Sequence, residues 1–167
     1  MEASRHLELL WKLHERHGNY AKAARTLYDI ATTKNKTTAG LAERITYLSN
    51  ALMSVRAAEQ HDDGGDRTSL VELKTQITDT LDVARLQSRV RRAIETEIHE
   101  GRLTGIKPNR AVEWLDQRLF SLTELYESFA DEYNLPEMKL AVLQCAGHYE
   151  KELVEECWRG VLEKGRH

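Results

Sequence analysis

Helix-breaking residues are scarce in this 167-residue chain, which has two prolines and nine glycines. Long segments are left uninterrupted, which disfavours a sheet protein, whose many turns draw on both residue types. Cysteine is as rare. Cys145 and Cys157 cannot form a disulfide framework, so a reducing compartment is the default. No apolar run approaches the roughly 18–20 residues that span a bilayer, and MEASRHLELLWK lacks the form of a secretory signal. Positive charge is not in excess: 24 Lys and Arg face 27 Asp and Glu, a net charge of −3. That removes any global electrostatic case for nucleic acid. What the chain does have is 41% hydrophobic and 31% charged residues, the composition of a charge-rich helical protein.

Catalytic and metal constellations are missing too. His14 and His17 stand three apart, whereas the helical zinc-protease motif needs four with a Glu between. Cys145, His148 and Cys157 lack the fourth ligand of a structural zinc site, and Gly147 interrupts them; cysteines among Ala, Val and Leu read as small core residues. No histidine has a glutamate three residues before it, which disfavours a di-iron carboxylate bundle. There is no Gly-rich phosphate loop and no Gly-x-Ser-x-Gly elbow. The sequence therefore predicts no enzyme, no cofactor and no metal.

The organising element is Ser69 to Glu100, free of Gly and Pro, with apolar residues from Leu70, Leu73 and Ile77 through Leu81 and Val90 to Ile98. Steps of three and four predict one long amphipathic helix of roughly 45 Å. Ser69 and Glu72 have capping-box spacing. Upstream, Leu7 to Leu13 wrap more than half a helix, so apolar neighbours are expected on both sides and Leu9 and Leu13 have no obvious cover. Gly18 fits a helix end and Asn19 the next N-cap. A small-faced helix (Tyr20 to Ala31) and a third (Leu41 to Ala58) follow, separated by a polar linker at Thr32 to Thr38.

Gln60 to Arg67 reads as a flexible loop. After the long helix, Gly101 to Arg110 reads as a loop, then a helix carries Val112, Trp114, Leu115 and Leu119. Ser121 and Glu124 form a second capping box, with Phe120 and Leu125 placed as its staple. Pro136 suits the first turn of a helix carrying Met138, Val142 and Cys145, ended by Gly147. A last helix from about Glu150 carries Val161 and Leu162. The expected fold is all-α: an α-solenoid fragment of about eight antiparallel helices around one long central helix, a single segment over 1–167 with a flexible loop near 60–67.

Two surface features invite a partner. Arg85, Arg89, Arg91 and Arg92 form a basic patch, which pairing with Glu95 or Glu97 and simple solvation explain. Trp114, Tyr126, Tyr133, Tyr149 and Trp158 are candidate partner-binding residues, since large aromatics anchor partners, although they serve equally as core.

The run Leu81-Asp82-Val83-Ala84-Arg85-Leu86-Gln87 resembles the C-terminal α-solenoid of the large inner-ring scaffold nucleoporins, built as a β-propeller followed by a helical solenoid. NYAKAARTLYDIAT, LAERITYLSNA and the stretch Leu122 to Trp158 resemble the same family in collinear order. The resemblance implies a non-enzymatic scaffold module of the nuclear pore complex at the nuclear envelope. Its implied partners are linear segments of flexible linker nucleoporins and neighbouring scaffold subunits, with no nucleic acid and no membrane insertion by this segment. The single tetratricopeptide-like helix pair near Trp11, Gly18, Ala24 and Tyr28 keeps an alternative open, a helical-repeat or coat-protein-like adaptor outside the pore.

Overall fold

The computed structural model describes residues 2–33, 39–61, 66–147 and 150–166. The expected linker residues 34–38, the 62–65 portion of the expected flexible loop, His148 and Tyr149 lie outside the described residues. Within them the chain is all-α, with eight α-helices and no strand. These are α1 (Glu2–Arg16), α2 (Tyr20–Thr32), α3 (Leu41–His61), α4 (Arg67–His99), α5 (Ile106–Gln117), α6 (Leu122–Leu125), α7 (Pro136–Ala146) and α8 (Lys151–Lys164). A π-helical turn, Tyr126–Asp131, continues α6. The contacts divide the chain into two compact units, Met1–Ala84 and Arg85–His167.

In the first unit, Ala24, Leu27, Ala51, Val55, Leu73 and Ile77 form a closed apolar cluster, with Trp11, Tyr28 and Tyr47 packed against its edge. The alanines of α2 let α3 approach closely. α1 is held by a polar seam: Tyr47 Oη donates to Glu8 Oε1 at 2.7 Å and Ser54 Oγ to Glu15 Oε1 at 3.0 Å. Leu9, Leu10 and Leu13 on α1 are exposed, in line with the expectation for Leu9 and Leu13.

In the second unit, the C-terminal stretch of α4 buries Leu86, Val90 and Ile94, and the later helices bury Leu115, Phe120, Leu125, Phe129 and Leu135. Phe120 and Phe129 meet edge to face with centroids 5.0 Å apart. Gly160 lets α8 lie against Pro136: a Cβ there would stand 3.0 Å from the proline Cβ.

Two kinds of helix end bear on the site among the described residues. After α1, Gly18 takes a left-handed φ of 72°, and Asn19 N–H donates to His14 O at 2.8 Å while Gly18 N–H reaches Glu15 O at 3.0 Å. This pattern satisfies the last carbonyls from within the chain. Gly101 and Asn134 repeat it: Arg102 N–H reaches Glu97 O, and Leu135 N–H reaches Ala130 O. The ends of α2 and α5 do not turn left. α2 stops at Thr33 (φ −56°, ψ 124°) and α5 at the extended Arg118 (φ −147°, ψ 163°). At each of these a buried polar side chain arrives from another helix. Arg44, 1% exposed, donates to Ala31 O at 2.6 Å, Thr33 O at 3.1 Å and Ala39 O at 3.3 Å. Gln87, fully buried, donates to Leu115 O and Arg118 O, both at 2.7 Å, and accepts from Phe120 N–H at 2.9 Å.

Several expectations are corrected. The long helix begins at Arg67, not Ser69, because Asp66 caps it: Oδ1 accepts from Thr68 N–H at 3.0 Å, leaving Ser69 inside the first turn. Asn19 stands at the N-cap of α2 as expected but makes no side-chain cap bond, its backbone (φ −84°, ψ 60°) lying outside the extended region typical of a capping residue. Residues 106–110 are helical, because Pro108 falls in the first turn of α5, where its missing N–H costs nothing. Cys145 is exposed, and the buried face of α7 is instead Pro136, Met138, Val142 and Leu143. The Ser121 capping box and Pro136 at the start of α7 are as expected.

Candidate functional site

The aromatic candidates separate on the surface of the second unit. α5 places Ile106, Arg110 and Trp114 four residues apart, on one stripe. Ile106 is 76% exposed and Trp114 57%, so Trp114 is not core. Opposite stand residues of α6 and the π turn. A π turn bonds i to i+5 and winds more loosely than an α-helix, and Glu127 and Glu132, like Ser128 and Tyr133, share a wall that 3.6-residue periodicity would split. Between these walls lies a groove of about 770 Å³, lined among others by Ile106, Arg110, Trp114, Phe120, Glu127 and Tyr133.

Ion pairs close the groove at two places. Lys107 pairs with Glu132, which raises the lysine pKa. Arg118 Nη2 donates to Glu124 Oε1 at 3.1 Å, and its guanidinium sits 3.8 Å from the Phe120 ring centroid. The Glu124 carboxyl is held below its ordinary pKa, first by the Ser121 backbone N–H at 2.9 Å and then by Arg118. Burial pushes the Tyr133 phenol up, and its hydroxyl donates to Lys107 O at 3.4 Å. Arg110 and Glu127 carry no ion pair among the described residues. The groove thus offers exposed apolar side chains and one open charge of each sign between two closed pairs.

Of the five candidates, the structure brings Trp114 and Tyr133 together. Tyr126 lies near the buried Cys157 of α8, whose thiol pKa burial raises. Trp158 is 55% exposed on α8 and does not line the groove. Tyr149 lies outside the described residues. Reading the sequence alone missed Ile106, Arg110 and Phe120 as groove residues. The first two fell in an expected loop, and the four-residue spacing of Ile106, Arg110 and Trp114 was the available signal. In the arginine patch, Arg91 pairs with Glu95 at 3.2 Å and Asp116 at 3.4 Å, while Arg85, Arg89 and Arg92 are exposed.

The first unit has a cleft of about 660 Å³ with charged walls, among them Lys22, Arg25, Asp29, Glu59 and Arg67, and with no Phe, Tyr or Trp among its described lining residues. Among the described residues, no cluster of three or more His, Cys, Asp or Glu could hold a metal, and no helix is long and apolar enough to cross a membrane.

Comparison with known proteins gives a consistent picture. Residues 1–166 match the family described as non-repetitive/WGA-negative nucleoporin C-terminal. The chain is 32% identical over 156 residues to nuclear pore complex protein Nup154 of Drosophila melanogaster, covering 93% of this chain and 11% of that protein. It is 26% identical over 161 residues to nucleoporin NUP170 of Saccharomyces cerevisiae, covering 95% and 10%. Among solved structures, the Nup170 CTD of Chaetomium thermophilum matches with a TM-score of 0.84 at 21% identity, over 96% of this chain and 28% of that one. The same domain in the Nup170 CTD–Nup145N complex matches with a TM-score of 0.82 at 21% identity, over 96% and 29%. The fold is therefore the all-α, solenoid-like fold of those domains. The chain spans about a tenth of the length of the curated relatives it matches.

Proposed function

We propose a scaffold role from one premise: the chain belongs to the non-repetitive/WGA-negative nucleoporin C-terminal family. In this reading it is one solenoid segment of an inner-ring scaffold nucleoporin, located at the nuclear pore complex of the nuclear envelope. It acts by binding other nucleoporins, and so supports nucleocytoplasmic transport. The match over residues 1–166 carries the reading. The solved complex of a Nup170 CTD with Nup145N supports it, as a related domain engaging another nucleoporin.

The partners are linear segments of linker nucleoporins and neighbouring scaffold subunits, and the groove of Ile106, Trp114 and Tyr133 receives one such segment. Exposed aromatics are the side chains that most often dominate such contacts, and a groove between two helical walls suits a narrow ligand better than a broad interface.

Titration of the chain with linker-nucleoporin segments and neighbouring scaffold segments by calorimetry tests this. At least one should bind, and Trp114→Ala should weaken that binding at least tenfold. Because Trp114 is exposed, unfolding stability should stay within about 0.5 kcal/mol. A folded chain that binds none of them overturns the scaffold reading. Binding that is indifferent to Trp114→Ala and Ile106→Ala moves the site elsewhere.

A further inference from the structure

We propose that Gln87 is the positioning residue of the Trp114 groove, although it lies beneath the surface and lines no part of it. The inference rests on the reading of that groove as the partner site. Its basis is the hydrogen bonding of one fully buried amide. α5 ends in an extended residue, so its last carbonyls have no partner from a left-handed turn. The Gln87 amide group supplies one, donating to Leu115 O at 2.7 Å. The same NH2 donates to Arg118 O at 2.7 Å, and the amide oxygen accepts from Phe120 N–H at 2.9 Å.

Each of these backbone groups belongs to a groove residue or its neighbour. Leu115 follows Trp114 directly, Arg118 lies over the Phe120 ring, and Phe120 lines the groove. One side chain thus sets the last turn of α5, the corner after it and the entry to α6. The chemistry is selective. Two carbonyls need a donor and one N–H needs an acceptor, and only a primary amide offers both on a stem of this length. Glutamate would set an anion against two carbonyl oxygens, and methionine would fill the space and leave all three groups unmet.

Gln87→Met and Gln87→Glu test the assignment, in the full chain and in a background where Trp11 and Trp158 are phenylalanine, so that fluorescence reports Trp114 alone. Three readouts apply: backbone amide exchange at Phe120, acrylamide quenching of Trp114, and affinity for the linker-nucleoporin segment that the unmodified chain binds. The expected result for Gln87→Met is exchange at Phe120 faster by at least tenfold, a changed Trp114 quenching constant and affinity reduced at least tenfold, with exchange in α7 and α8 unaltered. Gln87→Glu keeps the acceptor, so Phe120 stays better protected than in Gln87→Met while Trp114 still shifts.

If the corner opens but Trp114 quenching and affinity stay as they were, Gln87 is only a packing residue and the proposal fails. If Gln87→Met does not fold, the side-chain NH2 protons of the unmodified protein decide by nuclear magnetic resonance: slow exchange supports the clamp and solvent-like exchange overturns it. If the unmodified chain binds no segment, the reading of the groove fails separately, and Trp114 quenching in the free protein still reports whether Gln87 sets its shape.

Discussion

α2 in the first unit and α5 in the second both stop at a residue that does not turn left, and both leave bare carbonyls behind. The first unit meets them with Arg44 and the second with Gln87, both buried. The difference follows from what each corner presents. At the end of α2 the groups met among the described residues include three acceptors, Ala31 O, Thr33 O and Ala39 O, so a donor-only guanidinium fits, and its positive charge suits a helix C-terminus. At the end of α5 the corner also carries the Phe120 N–H, so a neutral group that both donates and accepts is required. Helix ends closed by Gly18, Gly101 or Asn134 need no such side chain, because the chain satisfies itself there. Glycine tolerates that left-handed turn because it lacks a Cβ, and asparagine accepts it at modest cost.

Paired substitutions would break or sharpen this contrast. The largest effect is expected in the two apolar cores, where Ile77→Ala in the first unit and Ile94→Ala in the second should each cost about 2–5 kcal/mol in urea denaturation. A loss below about 0.5 kcal/mol at either would mean that side chain is not in a packed core. Next comes Arg44→Met, expected to cost on the order of 3 kcal/mol because several buried carbonyls lose their donors. Arg44→Lys should recover only part, since one ammonium cannot reproduce the fork. If Arg44→Lys is as stable as the natural chain, charge rather than geometry holds the α2 corner, and the parallel with Gln87 breaks.

A smaller loss, about 1 kcal/mol, is expected for Ser121→Ala, which removes the reciprocal cap of α6. Amide exchange at Glu124 is the direct check, and an unchanged rate would show that water replaces the serine.

Tyr47→Phe should be the mildest, about 0.5–1 kcal/mol at neutral pH. Burial first, then the hydrogen bond to Glu8 and that carboxylate's charge, push the Tyr47 phenol up to about 12. A raised folded-state pKa favours the protonated phenol. Its contribution is therefore complete below the unfolded value near 10 and is lost as pH rises through about 12. The stability gap between the natural chain and Tyr47→Phe should accordingly close between pH 10 and 12. A gap that persists above that range would rule out the Glu8 bond as its source.

Much of this architecture is legible in residue spacing. The three-and-four rhythm from Leu73 to Ile94 locates the buried face of α4, because a helix has few ways to hide apolar side chains. Gly18, Ser121 and Pro136 mark helix boundaries through local backbone chemistry that needs no tertiary partner. The failures have equally physical causes. Ser69 lost the capping role to Asp66 because competing caps two residues apart cannot be ranked from spacing. Cys145 left the core because α7 buries the neighbouring stripe through Met138 and Val142. The groove was half visible: Trp114 and Tyr133 could be named, but their meeting depends on a π turn that local periodicity does not reveal.

By itself, then, the sequence determined the helices, most of their ends and the family likeness. These rest on interactions among residues near in sequence and on collinear pattern. Tertiary structure decided which aromatics face solvent, how Ile106, Trp114 and Tyr133 come to share a groove, and why Arg44 and Gln87 are buried. Arg44 reaches Ala31, 13 residues away, and Gln87 reaches Phe120, 33 residues away, so the need for either side chain exists only once the chain has folded back on itself.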